Sequence, residues 1–315
     1  MSEKFRPKNV EGKQYTLILS PSRSERESDI YSQTLQALTR AAISERMPCV
    51  FIQPHFDDNS LSAGGKMREL TTAGVPVSSV TVMSRFSDRL GIAPHMQILL
   101  DNAGEDSLGD LYHMRDSEDS SALAVLGVTE RVDFGQLDLP FRTRIEHGPA
   151  GGKEVPLYTA LRGPRAQEDE VTEEAIVGQL RALYSGDEKT MVFVPVGVGS
   201  HIDHLLVRDA SISAFAGKPN VMIIYYRDIP YAMKPKYASD PLITMFLNSH
   251  QLGLAEYDDN QDDRIHSIFE YRSQLTDGLF KKFQGASGNE EVTLLPEGYY
   301  FNLVQAAQFL STDTG

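Results

Sequence analysis

Pro48-Cys49-Val50-Phe51-Ile52-Gln53-Pro54-His55-Phe56-Asp57-Asp58-Asn59-Ser60 leads from a short apolar run straight into a cluster of imidazole and carboxylate side chains. Cys49–Ile52 is β-like, and Leu61 begins a helical pattern just beyond the cluster. A second stretch repeats the layout: the apolar run Met191–Val196, the flexible loop Gly197–Ser200, then His201-Ile202-Asp203-His204 opening another helix. Functional groups collect at the carboxyl ends of strands in open α/β sheets, because the loops there face the crevice. Two such clusters at two strand ends can close around one divalent ion.

The rest of the chain supports the same layout. Predicted strands are Tyr15–Leu19, Cys49–Gln53, Val77–Met83, Arg131–Phe134, Met191–Val196 and Val221–Tyr226. Helical patterns at Ile30–Arg46, Leu61–Ala73, Leu108–Leu126, Thr172–Tyr184 and Leu205–Phe215 lie between them. Gly74-Val75-Pro76 and Gly127-Val128 supply helix stops. Alternation of this kind with near-continuous apolar strands predicts an α/β fold, a Rossmann-like three-layer sandwich with a mostly parallel central sheet and helices on both faces. Residues 1–46 are expected to be an N-terminal extension packed on a core of residues 47–315. Gln136–Gln167, rich in Gly, Pro and Arg, reads as an insertion with a small hairpin around Lys153–Leu161. The acidic run Glu256–Asp263 reads as a solvated loop, since it lacks the glycine and terminal Glu of a calcium-binding loop.

Composition narrows the function classes. The chain has 315 residues, 41% of them hydrophobic and 23% charged, with a formal net charge of −14. That charge disfavours nucleic acid and anionic membrane surfaces as partners. One cysteine, Cys49, excludes an internal disulfide and a multi-thiolate zinc site, and fits a reducing compartment. With a polar N-terminus and no long apolar span, the expected location is the cytoplasm. No Gly-rich phosphate loop follows a strand; Gly197-Val198-Gly199 is too short to count.

Each cluster has a plain structural alternative. Asp58, Asn59 and Ser60 are good helix caps, and Asp203 suits a helix N-terminus through the dipole. Adjacent Asp57 and Asp58 beside His55 go further, because paired negative charges on one turn cost free energy unless a cation offsets them. The glycine pair in Ala63-Gly64-Gly65 would otherwise weaken a helix and is expected to allow close approach of another backbone. A catalytic zinc keeps three protein ligands and one water, whose pKa it lowers to about 7. His55, Asp57, Asp58, His201, Asp203 and His204 supply enough groups for ligands, a base, an oxyanion partner and a supporting carboxylate.

At these residues the sequence resembles the PIG-L/LmbE-like family of zinc-dependent de-N-acetylases. Pro54-His55-Phe56-Asp57-Asp58-Asn59 with Leu61-Ser62-Ala63-Gly64-Gly65 is similar to that family's first motif, and His201-Ile202-Asp203-His204 to its second. Arg115-Asp116-Ser117-Glu118 before Leu126-Gly127-Val128, the stretch Tyr225–Tyr231 and Tyr271-Arg272-Ser273-Gln274 resemble later landmarks. The resemblance implies His55, Asp58 and His204 as zinc ligands, with Fe2+ as another metal. It implies Asp57 as general base for a zinc-bound water attacking an amide, and His201, held by Asp203, as the oxyanion or leaving-amine partner. Arg115 becomes a substrate contact; an ion pair with Glu118 on the helix surface is its alternative. Asn59 departs from the family, which usually has Glu there. The implied substrate is a small N-acetyl amino sugar or glycoconjugate, deacetylated without nucleic-acid or membrane partners. A homo-oligomer is allowed, and the N-terminal extension is expected either to add a strand and helix or to form part of an oligomer interface. The alternatives are an amidase tailoring a natural product or conjugate, and a non-catalytic sugar-binding protein of the same fold.

Overall fold

The computed structural model describes residues 25–149, 151–237, 240–257, 261–274 and 295–312. The expected strand Tyr15–Leu19 lies outside them. Around β1 (Cys49–Gln53) are arranged β2 (Val77–Thr81), β3 (Glu130–Asp133), β6 (Thr190–Pro195), β7 (Val221–Tyr226), β8 (Gly253–Tyr257) and β9 (Glu297–Phe301). They form a seven-stranded sheet in the order β3-β2-β1-β6-β7-β9-β8. β3, β2, β1, β6 and β7 pair in parallel, and β9 runs antiparallel to both β7 and β8. The mostly parallel α/β expectation therefore holds, with an antiparallel edge that the sequence patterns did not reveal.

The central strands are apolar throughout because both faces are covered. In β1, Val50 and Ile52 join one buried cluster while Cys49 and Phe51 join another. β6 divides the same way, Val192 and Val194 against Met191 and Phe193, as the two-residue period of a strand requires. The first face is covered by α5 (Asp169–Leu183) and α6 (Ile202–Phe215) through Ile176, Leu180, Leu206 and Val207. The second is covered by α1 (Glu25–Glu45), α2 (Asp58–Thr72) and α4 (Leu108–Val125), with Tyr31, Leu35, Leu38 and Ala42 from α1. Phe51 and Phe193 stack at 4.2 Å in that layer. Full burial of a side chain of this size stabilises by roughly 1.5–3 kcal/mol.

Several elements differ from the sequence reading. α2 begins at Asp58 rather than Leu61. The hairpin in the insertion comes earlier than expected, as β4 (Thr143–Gly148) and β5 (Gly151–Pro156). The acidic run is no single loop: Glu256 and Tyr257 finish β8, and α8 (Gln261–Ile268) takes its far end. Three short helices, α3 (Pro94–Ala103), α7 (Pro241–Ser249) and α9 (Leu303–Ser311), are absent from the sequence reading; none exceeds ten residues. The glycine pair does receive a close neighbour, but it is a side chain. A Cβ at Gly64 would lie 3.2 Å from Arg264 Cγ. Arg264 donates to Leu61 O, and Glu297 accepts from the N–H groups of Gly65 and Lys66.

Parallel order β2-β1-β6 is what builds the site. β1 connects through α2 to one neighbour and lies beside the much later β6 on its other side, so the chain reverses its direction of winding there. A crevice opens outside the carboxyl ends at such a switch point. The loops leaving β1, β6, β7 and β3 all emerge at that edge.

Candidate metal centre

His55 leaves β1 and is held by its own turn. Its backbone N–H donates to Asp58 Oδ2 at 3.0 Å, and its Nδ1 lies 3.3 Å from the same oxygen. Asp58 therefore acts inward and does not cap α2; Asp57 occupies the N-cap position without a capping side-chain bond. His204, in the first turn of α6 and 0% exposed, brings Nε2 to 3.5 Å from Asp58 Oδ2. Ligand atoms of His55, Asp58 and His204 all lie within 4.8 Å of one another.

Each histidine is anchored on its far side by a buried carboxylate. His204 Nδ1 donates to Asp228 Oδ1 at 2.6 Å, and Asp228 Oδ2 accepts from the N–H groups of Gly197 and Val198, both at 2.8 Å. His55 Nε2 donates to Asp203 Oδ2 at 3.1 Å. Carboxylate–histidine pairs of this kind fix the tautomer and leave the other ring nitrogen free to ligate. His204 Nε2 is buried and has no hydrogen-bond partner among the described residues. A buried nitrogen of this kind costs roughly 1–3 kcal/mol unless something bonds it. The set of two imidazole nitrogens and one carboxylate oxygen fits zinc or ferrous iron.

In a second trio, His55, His201 and Asp203, the ligand atoms also lie within 4.8 Å of one another. Its carboxylate is already committed. Asp203 bonds His55, the N–H of Leu139 and the guanidinium of Arg142, which also lies 3.1 Å from Asp169. Asp203 thus supports His55 and Arg142; its carboxylate does not hold His201 as expected from the sequence. The link to His201 runs through the backbone, from Asp203 N–H to His201 Nδ1 at 3.3 Å. That bond puts the ring proton of neutral His201 on Nε2.

Electrostatics separates the groups. Burial opposes charging of His55, but Asp138, Asp203 and Asp58 outweigh it and hold its pKa well above the ordinary value. Burial likewise works against charging His204, yet Asp58 and Asp228 raise it. Asp58 is lowered to about 2 because His204 and His55 outweigh its burial. Asp57 goes the other way: burial and its neighbour Asp58 raise it, and Arg115 offsets this only in part. His201 is lowered to about 3 by burial and the charges of His204 and His55. The surrounding carboxylates thus favour positive charge at both imidazoles, a charge that a divalent ion held between them would supply.

Arg115 is 4% exposed and lies inside the site. Its Nη1 is 3.9 Å from Asp138, its guanidinium faces the Phe56 and Tyr112 rings, and its Nε is buried without a hydrogen-bond partner among the described residues. The alternative ion pair with Glu118 is not formed. Glu118 accepts from Ser273 N–H and Oγ instead. Asn59 points away from the cluster: it is 0% exposed, and its Nδ2 donates to Phe51 O and Ser79 Oγ beneath α2.

Three contributors escaped the sequence reading. Asp138 lies 3.6 Å from His55 Nε2 and accepts from Tyr112, and Arg142 bonds Asp203; both sit in the aperiodic insertion. Asp228 follows β7 in the stretch Arg227-Asp228-Ile229-Pro230. A carboxylate just past a strand end was the available signal for it.

Comparison with known proteins gives the family and the fold. The model of the PIG-L family, described as GlcNAc-PI de-N-acetylase, matches residues 50–215. Over half of the chain lies in that match, and the chain belongs to this family. No curated protein matches the sequence. Among solved structures, a deacetylase–bog complex from the biosynthesis pathway of teicoplanin is 21% identical with a TM-score of 0.59. The zinc-inhibited form of a teicoplanin deacetylase is 20% identical with a TM-score of 0.59, and a deacetylase–teicoplanin complex 20% with 0.60. Each alignment covers 81% of this chain and 97% of the other. At these identities the likeness establishes a shared fold.

Proposed function

We propose that this PIG-L family member is a metal-dependent amidohydrolase that removes an acetyl group from an N-acetylated amino sugar or glycoconjugate. The observation that carries this reading is the convergence of His55 Nδ1, Asp58 Oδ2 and His204 Nε2, each histidine backed by a buried carboxylate, beside the raised carboxyl of Asp57. His55, Asp58 and His204 would hold the ion, zinc or ferrous iron. When bound, the ion supplies Lewis-acid polarisation of water and of the amide carbonyl.

The remaining steps belong to the chain. Asp57 takes the proton of the attacking water, a role suited to a carboxylate whose pKa burial has raised. The tetrahedral carbon then carries a negative oxygen. His201, neutral and with its proton on Nε2, donates a hydrogen bond there; its low pKa favours this over protonating the amine. Asp57 passes its proton to the nitrogen, the C–N bond breaks, and acetate and a free amine leave. Asp203 and Asp228 orient the two histidines. Arg115 tempers the charge of Asp57, and its unbonded Nε supports a contact to substrate.

A panel of N-acetylated amino sugars, assayed for released amine with zinc- or iron-loaded protein, tests reaction and substrate class together. Turnover that vanishes on metal removal is the expected result. Protein that takes up no metal at neutral pH would instead favour a non-catalytic binding role.

A further inference from the structure

The insertion returns to the site beside His201. Arg162 pairs with His201 as an isolated antiparallel bridge, Ile202 N–H donates to Leu161 O, and Gly163 N–H to Ser200 O. The Arg162 guanidinium lies over two rings, 5.2 Å from the centroid of Tyr231 and 4.7 Å from that of Tyr237. Tyr231 in turn borders both histidines of the second motif, its ring centroid 5.3 Å from that of His204 and 6.1 Å from that of His201. Arg162 is thus one aromatic ring away from the candidate metal centre.

Other arginines around the site have carboxylate partners: Arg142 has Asp169 and Asp203, Arg115 has Asp138, and Arg165 has Glu173 and Asp209. Arg162 has none among the described residues, and its Nε is buried without a hydrogen-bond partner. Two more cations gather at the same rim. Lys236 Nζ is 4.7 Å and Lys234 Nζ 6.0 Å from the Tyr237 ring centroid, and neither forms an ion pair among the described residues. Burial raises the Tyr237 hydroxyl, but the Lys236 hydrogen bond and the charges of Arg162 and Lys234 bring it below its ordinary value. In a chain with a net charge of −14, three cations around the one Tyr237 ring, without an ion pair among the described residues, call for an anion from outside.

We propose that Arg162, with Lys234 and Lys236, forms a subsite for an anionic group, so that the substrate is an acetylated amine bearing a carboxylate or a phosphate. The planar guanidinium, fixed on two aromatic faces and with its Nε held free, suits a two-point contact to either group. The lysines add charge at the exposed lip. The proposal rests on the deacetylase reading for the position of the acetyl group; recognition of the anion is independent of turnover.

Three probes share one sugar: N-acetylglucosamine, its 6-phosphate, and its 3-O-carboxyethyl ether. Binding is measured by calorimetry on the full-length protein, and kcat/KM by amine release. The parent protein should prefer at least one anionic probe over the neutral sugar, and the preferred one tells phosphate from carboxylate. Arg162→Gln should cut that preference by about tenfold to a hundredfold, the range of a lost charge-assisted contact, with Arg162→Lys in between. Lys236→Gln, at an exposed position, should cut it by only about twofold to fivefold. A parent protein that binds the neutral sugar as well as either anion, or an Arg162→Gln protein with its preference intact, would overturn the subsite. Anion preference lost in Arg162→Gln without turnover of any probe would leave the subsite standing and sink the deacetylase reading.

Discussion

Asp228→Asn exchanges one carboxylate oxygen for an NH2 group at a side chain that is 0% exposed. In the parent, Oδ1 accepts from His204 Nδ1 at 2.6 Å, and Oδ2 accepts from two backbone N–H groups at 2.8 Å. An asparagine can satisfy the two backbone donors only with its carbonyl oxygen, which turns its NH2 toward His204. Nδ1 must then become an acceptor, and the ring proton moves to Nε2, the atom offered to the ion. Supporting carboxylates next to metal-binding histidines are worth about 10- to 100-fold in metal affinity, or about 1.4–2.7 kcal/mol. Loss of the charge-assisted bonds should also lower the stability of the metal-free fold by about 1–3 kcal/mol. The affinity is read by competition with a chromophoric chelator, and the stability by urea unfolding. An Asp228→Asn protein that binds zinc within twofold of the parent would refute the tautomer argument and, with it, His204 as a ligand through Nε2.

Three further outcomes are expected. Asp57→Asn should lower turnover by about 10²- to 10⁴-fold while the metal content by elemental analysis stays the same; a fully active variant removes Asp57 as the base. Arg142→Gln leaves Asp203, 0% exposed, facing His55 without its guanidinium. Breaking a buried pair from one side costs about 3–5 kcal/mol, and a urea midpoint unchanged from the parent would count against it. Asp119, raised to about 7 by burial against the opposing bonds from Gln53, Tyr271 and Arg131, folds best when protonated. Its contribution is full below about pH 4 and fades as pH rises toward 7, a loss on the order of 4 kcal/mol. Asp119→Asn should therefore lose less stability than the parent between pH 4.5 and 7.5; parallel urea midpoints in the two proteins would contradict this.

Legibility in the sequence followed the strength of local patterns. β1 and β7 were read to their end residues, because an apolar run covered on both faces has sharp limits. α3, α7 and the antiparallel strands β8 and β9 were missed. Their runs are short, and an edge strand such as β8 draws its pairing from a distant partner. The insertion hid most. Asp138, Arg142 and Arg162 sit in residues without periodicity, so nothing local says which of them turn inward.

The sequence by itself determined the α/β class, the mostly parallel sheet, and the two motifs that supply His55, Asp58, His201 and His204. Motif residues sit within a few positions of a strand end, and strand order then carries them to one edge. Only the tertiary structure decided which carboxylate supports which histidine. Asp203 turned out to hold His55 from across the sheet and not its neighbour His201, and Asp228 reached His204 from the next strand. These contacts join residues 148 and 24 positions apart. Their partners are set by the parallel register of β1, β6 and β7, which no local pattern of residues encodes.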